Sequence, residues 1–380
     1  MKALQMVDLK GQYQHIKAEI DEAVLSVVQS CAYINGPEVK AFEEELEEYL
    51  GVKHVIPCAN GTDALQITLM AMGFKPGDEV ITASFTYIAT AEAIALLGLV
   101  PVLVDVEPDT MNIDPDAIEA AISDKTVAIM PVHLFGQCAN MDQIMEISKK
   151  HNLRVIEDTA QAVSASYTFN DGTKKMAGSI GDAGTTSFFP SKNLGCFGDG
   201  GAIFTNDDEL AQSIAMVANH GQSKRYYHDR IGVNSRLDSM QAAILRIKLR
   251  HLNEYSEARQ KAAAYYDNAF KNSEFITAPV RNPNSSHVFH QYTLKLDKVD
   301  RQELINHLSD KGVPSMIYYP VAIHEQKAFK KVKHRVGDLS NTEKLTIQVL
   351  SLPMHTEHTD DTLEYITSSV LEFLNKKILI

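Results

Sequence analysis

The sequence predicts an α/β protein: a mainly parallel sheet covered on both faces, followed by a smaller α+β domain. Three observations predict it. From residue 53 to 158, short apolar runs alternate with helical segments, as strands do when crossover helices bury them on both faces. Near residue 207 that rhythm stops and helical sequence takes over to about 272. The chain has 380 residues, 44% of them hydrophobic and 22% charged, enough for two or three domains and a large buried core.

Residues 11–35 read as an amphipathic helix, with Ile16, Ile20, Val24 and Val27/Val28 at helical spacing. A second helix starts at Pro37, a good first-turn residue, and stops at Gly51. Strands follow at 53–58, 78–84, 100–106, 126–134 and 153–158, with helices between them at 62–74, 86–98, 114–123 and 141–151. Two more strands, 182–189 and 200–205, bracket Lys192. Helical sequence then runs through 238–270 after a loop at 221–235. A strand near 288–296, a helix at 301–311, a strand at 314–319 and a terminal helix at 360–376 complete the second domain. The large domain is expected over 1–250 and the small one over 251–380, with no internal repeat or low-complexity linker.

Net charge is −13, which argues against a nucleic-acid partner. Cys31, Cys58, Cys138 and Cys196 are far apart, so neither a disulfide framework nor a thiolate zinc site is expected. "MKALQMVDLKGQ" lacks the apolar core of a secretory leader, and no apolar run reaches membrane-spanning length. A soluble cytoplasmic protein is expected. "GCFGDGGAIF" fails the dinucleotide spacing, because Ile203 stands where a third glycine is needed. Neither a P-loop nor a G-x-S-x-G elbow occurs. "HVFH" (287–290) and "HTEH" (355–358) place two histidines three apart. In extended chain these point to opposite faces, so no metal is expected.

Three segments place polar groups at strand ends, where parallel sheets keep their reactive groups. "VIPCANGTDA" passes from strand to helix through Asn60, Gly61, Thr62 and Asp63. This is either an ordinary helix cap or a seat for phosphate on free N–H groups. "LRVIEDTAQA" ends a strand at Asp158 and runs on to Gln161. That carboxylate can cap the next turn or hold a cationic ring nitrogen. "TTSFFPSKN" ends another strand and presents Lys192, followed by Gly195, Gly198, Gly200 and Gly201. An isolated lysine there is a surface residue or a buried nucleophile with a lowered pKa, suited to a Schiff base. A phosphate seat, a carboxylate on one strand end and a lysine on another are the parts of a pyridoxal 5′-phosphate site.

The chain resembles the fold type I pyridoxal-phosphate enzymes and, more narrowly, the DegT/DnrJ-like nucleotide-sugar aminotransferases. The resemblance is carried in order by "INGPEVKAFEEELEEYLGVKH", "CANGTDALQITLMAMGFKPGDEVITASFTYIATAEAI", "PVHLFGQCANMD", "VIEDTAQA", "GDAGTTSFFPSKNLGCFGDGGAIFTND", "GVNSRLDSMQAAIL" and "SLPMH". Asp199 departs from it, where many members have glutamate. The resemblance implies an aspartate-aminotransferase-like large domain with a mainly parallel seven-stranded sheet. It implies that Lys192 holds the cofactor and moves protons, and that Asp158 meets the pyridine nitrogen. Gln161 is implied near the ring hydroxyl, and Gly61, Thr62 and Ser187 on the phosphate. Phe85 is implied as a wall stacked on the ring, with core packing its alternative. Asn234 is implied to reach the phosphate of a second subunit, making the active unit a homodimer; its alternative is a polar turn residue.

On the substrate side, Arg236, Tyr318 and His324 are the candidates, although Arg236 also suits a subunit-interface ion pair. The resemblance implies glutamate as donor and a UDP-linked keto sugar as acceptor. "CANGTDALQI" and "SFFPSKNLGCFGDGGAIFTNDDELA" are most similar to members that aminate a UDP-linked 3-oxo-glucuronate on the way to bacterial surface polysaccharides. A dTDP- or UDP-linked 3-keto or 4-keto deoxysugar is the enzymatic alternative, and a cofactor-binding regulator the non-enzymatic one. Sugar dehydratases of this fold carry histidine in place of the lysine, so Lys192 argues against that class.

Overall fold

The computed structural model describes residues 3–378. Met1 and Lys2 of the N-terminal stretch, and Leu379 and Ile380 of the expected small domain, lie outside the described residues. Two helices open the chain, α1 (Leu9–Ser30) and α2 (Pro37–Leu50). Asp8 caps α1 by accepting from Gly11 N–H at 2.8 Å. Cys31 caps it in left-handed backbone, so its last residue, Ser30, lies five before the expected limit. Gly51 ends α2 with φ 66°, the conformation glycine adopts most readily.

The alternating part is β1 (His54–Cys58), α3 (Gly61–Ala71), β2 (Glu79–Ala83), α4 (Ala89–Leu96), β3 (Val100–Val104), α5 (Pro115–Ala121), β4 (Thr126–Ile129), α6 (Met141–His151) and β5 (Arg154–Asp158). A short hairpin, β6 (Ser166–Thr168) and β7 (Lys174–Met176), precedes β8 (Ala183–Ser187) and β9 (Gly201–Thr205). Next come α7 (Asp208–Ala218), an exposed hairpin of β10 (Gln222–Lys224) and β11 (Tyr227–His228), α8 (Ser239–Arg250) and α9 (Leu252–Phe270). The expected run at 238–270 is therefore two helices, broken at His251. The remainder is β12 (Ile276–Thr277), β13 (Tyr292–Leu296), α10 (Arg301–Asp310), β14 (Arg335–Val336), α11 (Ser340–Gln348), β15 (Val349–Leu352) and α12 (Asp360–Ile378).

The main sheet has the order β1-β9-β8-β5-β4-β2-β3-β14. Only β9 runs against the rest. The expected seven strands are all present, and the sheet has an eighth. Arg335 and Val336, from far along the chain, pair in parallel with Val102 and Leu103 and cover the β3 edge. Successive residues face opposite ways. Ile81, Ile129 and Val155 pack with Ile118, Ile144 and Ile147 of α5 and α6. Val80, Ala128 and Ile156 pack with Leu65, Leu69 and Ile94 of α3 and α4. Both faces are thus buried, as continuous apolar strands require. A second core joins β12, β13 and β15 to α9, α10 and α12 around Tyr266, Phe270, Leu294 and Ile366.

Two expectations are corrected here. Residues 314–319 form no strand. Met316 alone bridges to Ser351, after which the chain leaves the small sheet. His355 and His358 do not face apart: a turn stacks their rings at 3.8 Å. No group of three potential metal ligands occurs among the described residues, and none of their helices is long and apolar enough to cross a membrane.

Candidate active site

The carboxyl ends of β1, β5 and β8 lie side by side. Asp158 pairs with Thr185 one strand over, and Ser187 and Cys58 both pair with Gly201 of the intervening β9. Glycine makes this convergence possible. A Cβ on Gly61 would stand 2.6 Å from Ser187 Cβ, and one on Gly201 would stand 2.5 Å from the Asn60 carbonyl. Ser187 is therefore pressed against the start of α3. Asn60 caps that helix by accepting from Asp63 N–H at 2.8 Å. The N–H groups of Gly61 and Thr62, its first two residues, have no acceptor within the helix. They point out of the positive helix end, where Ser187 packs against Gly61.

After Ser187 the chain turns tightly around Lys192. Lys192 N–H donates to Phe189 O at 2.8 Å and Cys196 N–H to Phe188 O at 2.7 Å. A Cβ on Gly195 would meet Pro190 O at 2.5 Å, so the turn admits no side chain there. The Lys192 residue keeps some surface, but its amine is buried. Burial lowers its pKa from 10.5 to about 8, against the pull of the Asp158 charge. A second buried lysine braces the turn from α8: Lys248 Nζ donates to Gly195 O at 2.6 Å.

Asp158 is buried. Its Oδ2 accepts from Thr90 Oγ1 at 2.8 Å and its Oδ1 from Ala160 N–H at 3.1 Å. Gln161 is held at both ends of its amide. Its oxygen accepts from Phe135 N–H at 2.8 Å, and its nitrogen donates to the Tyr319 hydroxyl at 3.0 Å. Tyr319 packs edge-on against the buried Phe85 ring at 6.1 Å, and burial pushes its phenol well above the usual range. His324 joins the same wall through Nδ1 and Ser84 Oγ, 2.9 Å apart. Tyr318 precedes Tyr319 and is half-buried, its phenol also raised by burial.

Several buried polar atoms of this region have no hydrogen-bond partner among the described residues: Thr86 Oγ1, Asn193 Oδ1 and His290 Nδ1. His290 is kept neutral by burial and by the Lys192 and Arg259 charges, which hold its pKa well below the usual value. Such orphaned atoms are uncommon in folded proteins and mark places for a ligand or an ordered water.

Within one chain, Lys192, Asp158, Gln161, Phe85, Gly61, Thr62 and Ser187 converge, with Tyr318 and His324 on the adjoining wall. Asn234 and Arg236 do not join them directly. Asn234 is exposed, and Arg236 donates to Asn219 Oδ1 at 3.4 Å. The residue between them, Ser235, turns inward instead. It donates to Asp63 Oδ2 at 2.6 Å and accepts from Ala59 N–H at 2.9 Å. Sequence reading missed Thr90, Tyr319, Ser235 and His290. Only Ser235 had a usable signal, its place between two candidates in an extended stretch.

This donor set fits pyridoxal phosphate. Gly61, Thr62 and Ser187 offer N–H and hydroxyl donors to a phosphate, Asp158 a carboxylate to a ring nitrogen, and Lys192 a desolvated amine to an aldehyde.

Residues 14–371 match the DegT/DnrJ/EryC1/StrS aminotransferase family. The chain is 49% identical over 354 residues to the UDP-2-acetamido-2-deoxy-3-oxo-D-glucuronate aminotransferase of Pseudomonas aeruginosa, covering 93% of this chain and 95% of that one. It is 45% identical over 370 residues to a pleiotropic regulatory protein of Geobacillus stearothermophilus, covering 97% and 98%. Other relatives are named for dTDP-linked and GDP-linked sugars. NtdA of Bacillus subtilis, solved with bound cofactor PMP, superposes with a TM-score of 0.89 at 30% identity, over 99% of this chain and 86% of that one. Aminotransferases of this family depend on pyridoxal phosphate. The chain belongs to the DegT/DnrJ/EryC1/StrS aminotransferase family.

Proposed function

We propose that this protein transfers the amino group of glutamate to C3 of UDP-2-acetamido-2-deoxy-3-oxo-glucuronate, in the cytoplasm, as a step toward bacterial surface polysaccharide. The observation that carries the reading is the 49% identity to the P. aeruginosa enzyme named for that substrate. The second reading, a dTDP- or UDP-linked keto deoxysugar, is favoured by the 41% identity to a dTDP-3-amino-3,4,6-trideoxy-alpha-D-glucose transaminase.

When bound, pyridoxal phosphate supplies an aldehyde that condenses with amines and a ring that delocalises a carbon's electron pair. The chain does the rest. Gly61 and Thr62 N–H groups, with the Thr62 and Ser187 hydroxyls, hold the phosphate at the positive end of α3. Asp158 would hold the ring nitrogen and keep it protonated. With its pKa near 8, Lys192 has a neutral fraction at physiological pH. Its Nζ is the base that would take the proton from the amino-bearing carbon of the donor. Phe85 and Tyr319 close one side against water.

The active unit in this reading is a homodimer in which Asn234 completes the phosphate seat of the partner subunit. The exposed Asn234, with Ser235 tied back to its own α3, supports that arrangement. Arg236 has no carboxylate partner among the described residues, so its guanidinium is available to the carboxylates of glutamate and of the uronate in turn. The test is one amination assay, read by mass spectrometry, with the uronate and a neutral 6-deoxy keto sugar as acceptors. Arg236→Leu should lower kcat/KM for the uronate acceptor, which excludes the shared glutamate half-reaction, by about 30- to 100-fold, as loss of a charge-assisted bidentate contact does, and spare kcat/KM for the neutral sugar. If the wild-type protein prefers the neutral sugar, or the substitution weakens both acceptors equally, the deoxysugar reading takes its place.

A further inference from the structure

Thr90 lies on the first turn of α4 and is 1% exposed. Helical threonines commonly turn their hydroxyls back onto the carbonyl four residues earlier. Thr68 does so with Ala64 O at 2.7 Å and Thr367 with Leu363 O at 2.9 Å. Thr90 instead donates across the site to Asp158 Oδ2 at 2.8 Å. The other carboxylate oxygen accepts from Ala160 N–H at 3.1 Å, within the chain turn that follows β5. A carboxylate with one donor on each oxygen cannot rotate about its Cβ–Cγ bond without losing one of them. The two donors come from different elements, so the plane of the carboxylate is fixed by the packing of α4 against the sheet. Thr90 also follows Phe85 by five residues, so one segment carries both the aromatic wall and this hydroxyl.

We propose that Thr90 is a positioning residue that sets the plane of the Asp158 carboxylate and thereby aims its free lone pairs at the ring nitrogen of the cofactor. The inference rests on the reading of Asp158 as the partner of that nitrogen. Thr90 touches neither substrate nor cofactor and acts through Asp158 alone. Thr90→Val keeps the volume and β-branching of the side chain and removes the donor. Thr90→Ser keeps the donor.

The experiment titrates apo-protein with pyridoxal phosphate for wild type, Thr90→Val, Thr90→Ser, Asp158→Ala and the Thr90→Val/Asp158→Ala double variant, and measures kcat and KM where turnover survives. Thr90→Val should weaken cofactor binding about five- to tenfold, the scale of one hydrogen bond to a charged group. It should lower kcat by a similar factor with the glutamate KM within about twofold, and Thr90→Ser should restore both. On the Asp158→Ala background the valine should cost nothing further, since coupled residues are non-additive. Equal weakening on both backgrounds would make Thr90 a packing residue and overturn the inference. Wild-type affinity in Thr90→Val beside a weakened Asp158→Ala would overturn it too, while leaving the Asp158 reading standing. Wild-type affinity in Asp158→Ala would remove that reading and the inference with it. Should the valine variant fail to fold, Thr90→Ala on the same two backgrounds decides by the same comparison.

Discussion

Lys192 shows how a single side chain carries an energetic cost for its chemistry. Its amine is buried, which lowers its pKa from 10.5 to about 8. The unfolded chain holds that proton more tightly than the folded one. Below pH 8 the folded protein bears the whole cost of burying a charge. Between pH 8 and 10.5 the cost fades, because the unfolded state then binds more protons and stability rises with pH. The expected outcome is a difference in slope. Apo wild type should gain stability relative to apo Lys192→Met as pH rises from 7.5 to 9.5, measured by urea unfolding. Parallel curves would place the amine in solvent. Asp158 makes a second case. Asp158→Asn should preserve the fold and lose about two orders of magnitude in turnover, roughly 3 kcal/mol of preorganised electrostatics, read as kcat in the glutamate half-reaction. Lys192 and Asp158 were legible as candidates because each lies at a strand end in a distinctive local run, whereas Gln161 came only with the resemblance. Thr90 was not, since a threonine in a helix looks the same whether it faces a carboxylate or its own backbone. Tyr319 was not, since it lies in a stretch, 314–319, that reads as a strand.

Among the elements, the start of α3 and the start of β9 constrain each other most closely. At Gly201 an added Cβ would lie 2.5 Å from both carbonyl atoms of Asn60 and 2.9 Å from Gly61 N. Those are backbone atoms and cannot swing aside. Gly201→Ala should therefore push β9 from the helix end, cost about 1–3 kcal/mol of stability and weaken binding of inorganic phosphate to the apo-protein. Thermal melting and phosphate titration check the two parts separately. The seven long strands were legible because their apolar runs are buried on both faces and bounded by turns. The two-residue strand at Arg335–Val336 was not, because so short a piece has no periodicity. The segment at 314–319 misled for an opposite reason. Its sequence, PSMIYY, is rich in strand-forming residues, and Met316 does exchange backbone hydrogen bonds with Ser351, at 3.1 and 2.8 Å. The pairing stops there because the next residues are spent carrying Tyr318 and Tyr319 to the wall beside Phe85. A site requirement overrode a local propensity.

For the molecule as a whole, the proposed reading builds each working site from two chains. Ser235 fastens its loop to the first turn of α3, while Asn234 stays exposed and Arg236 reaches only Asn219. Apolar side chains are exposed nearby in the sequence and around the Lys192 turn: Phe189, Tyr226, Tyr227 and Ile231. If two chains share each site, Lys192→Ala and Asn234→Trp are each inactive alone. Mixed and reassembled, they should recover about a quarter of wild-type activity, since half the dimers are mixed and each mixed dimer holds one intact site. Subunit exchange without recovery would put the whole site in one chain. The overall α/β architecture was legible from the alternation of elements, whereas the partner arrangement entered through the resemblance, because an exposed asparagine has no sequence mark of its own.

The short β14 strand has a consequence for solubility. The strand it covers, Val100–Val104, reads VPVLV and carries no charge. Left bare at the rim of the sheet, such a run is a template on which other chains can lay down strands of their own. Pro101 blunts one position of that template. Arg335 and Val336 occupy the next, pairing with Val102 and Leu103, and Gly337 N–H donates to Leu103 O at 3.0 Å. Arg335 is in turn tethered to Glu79. Two residues at the far end of the chain thus act as a gatekeeper, and a nascent chain released before residue 335 would expose a sticky border that the finished protein hides.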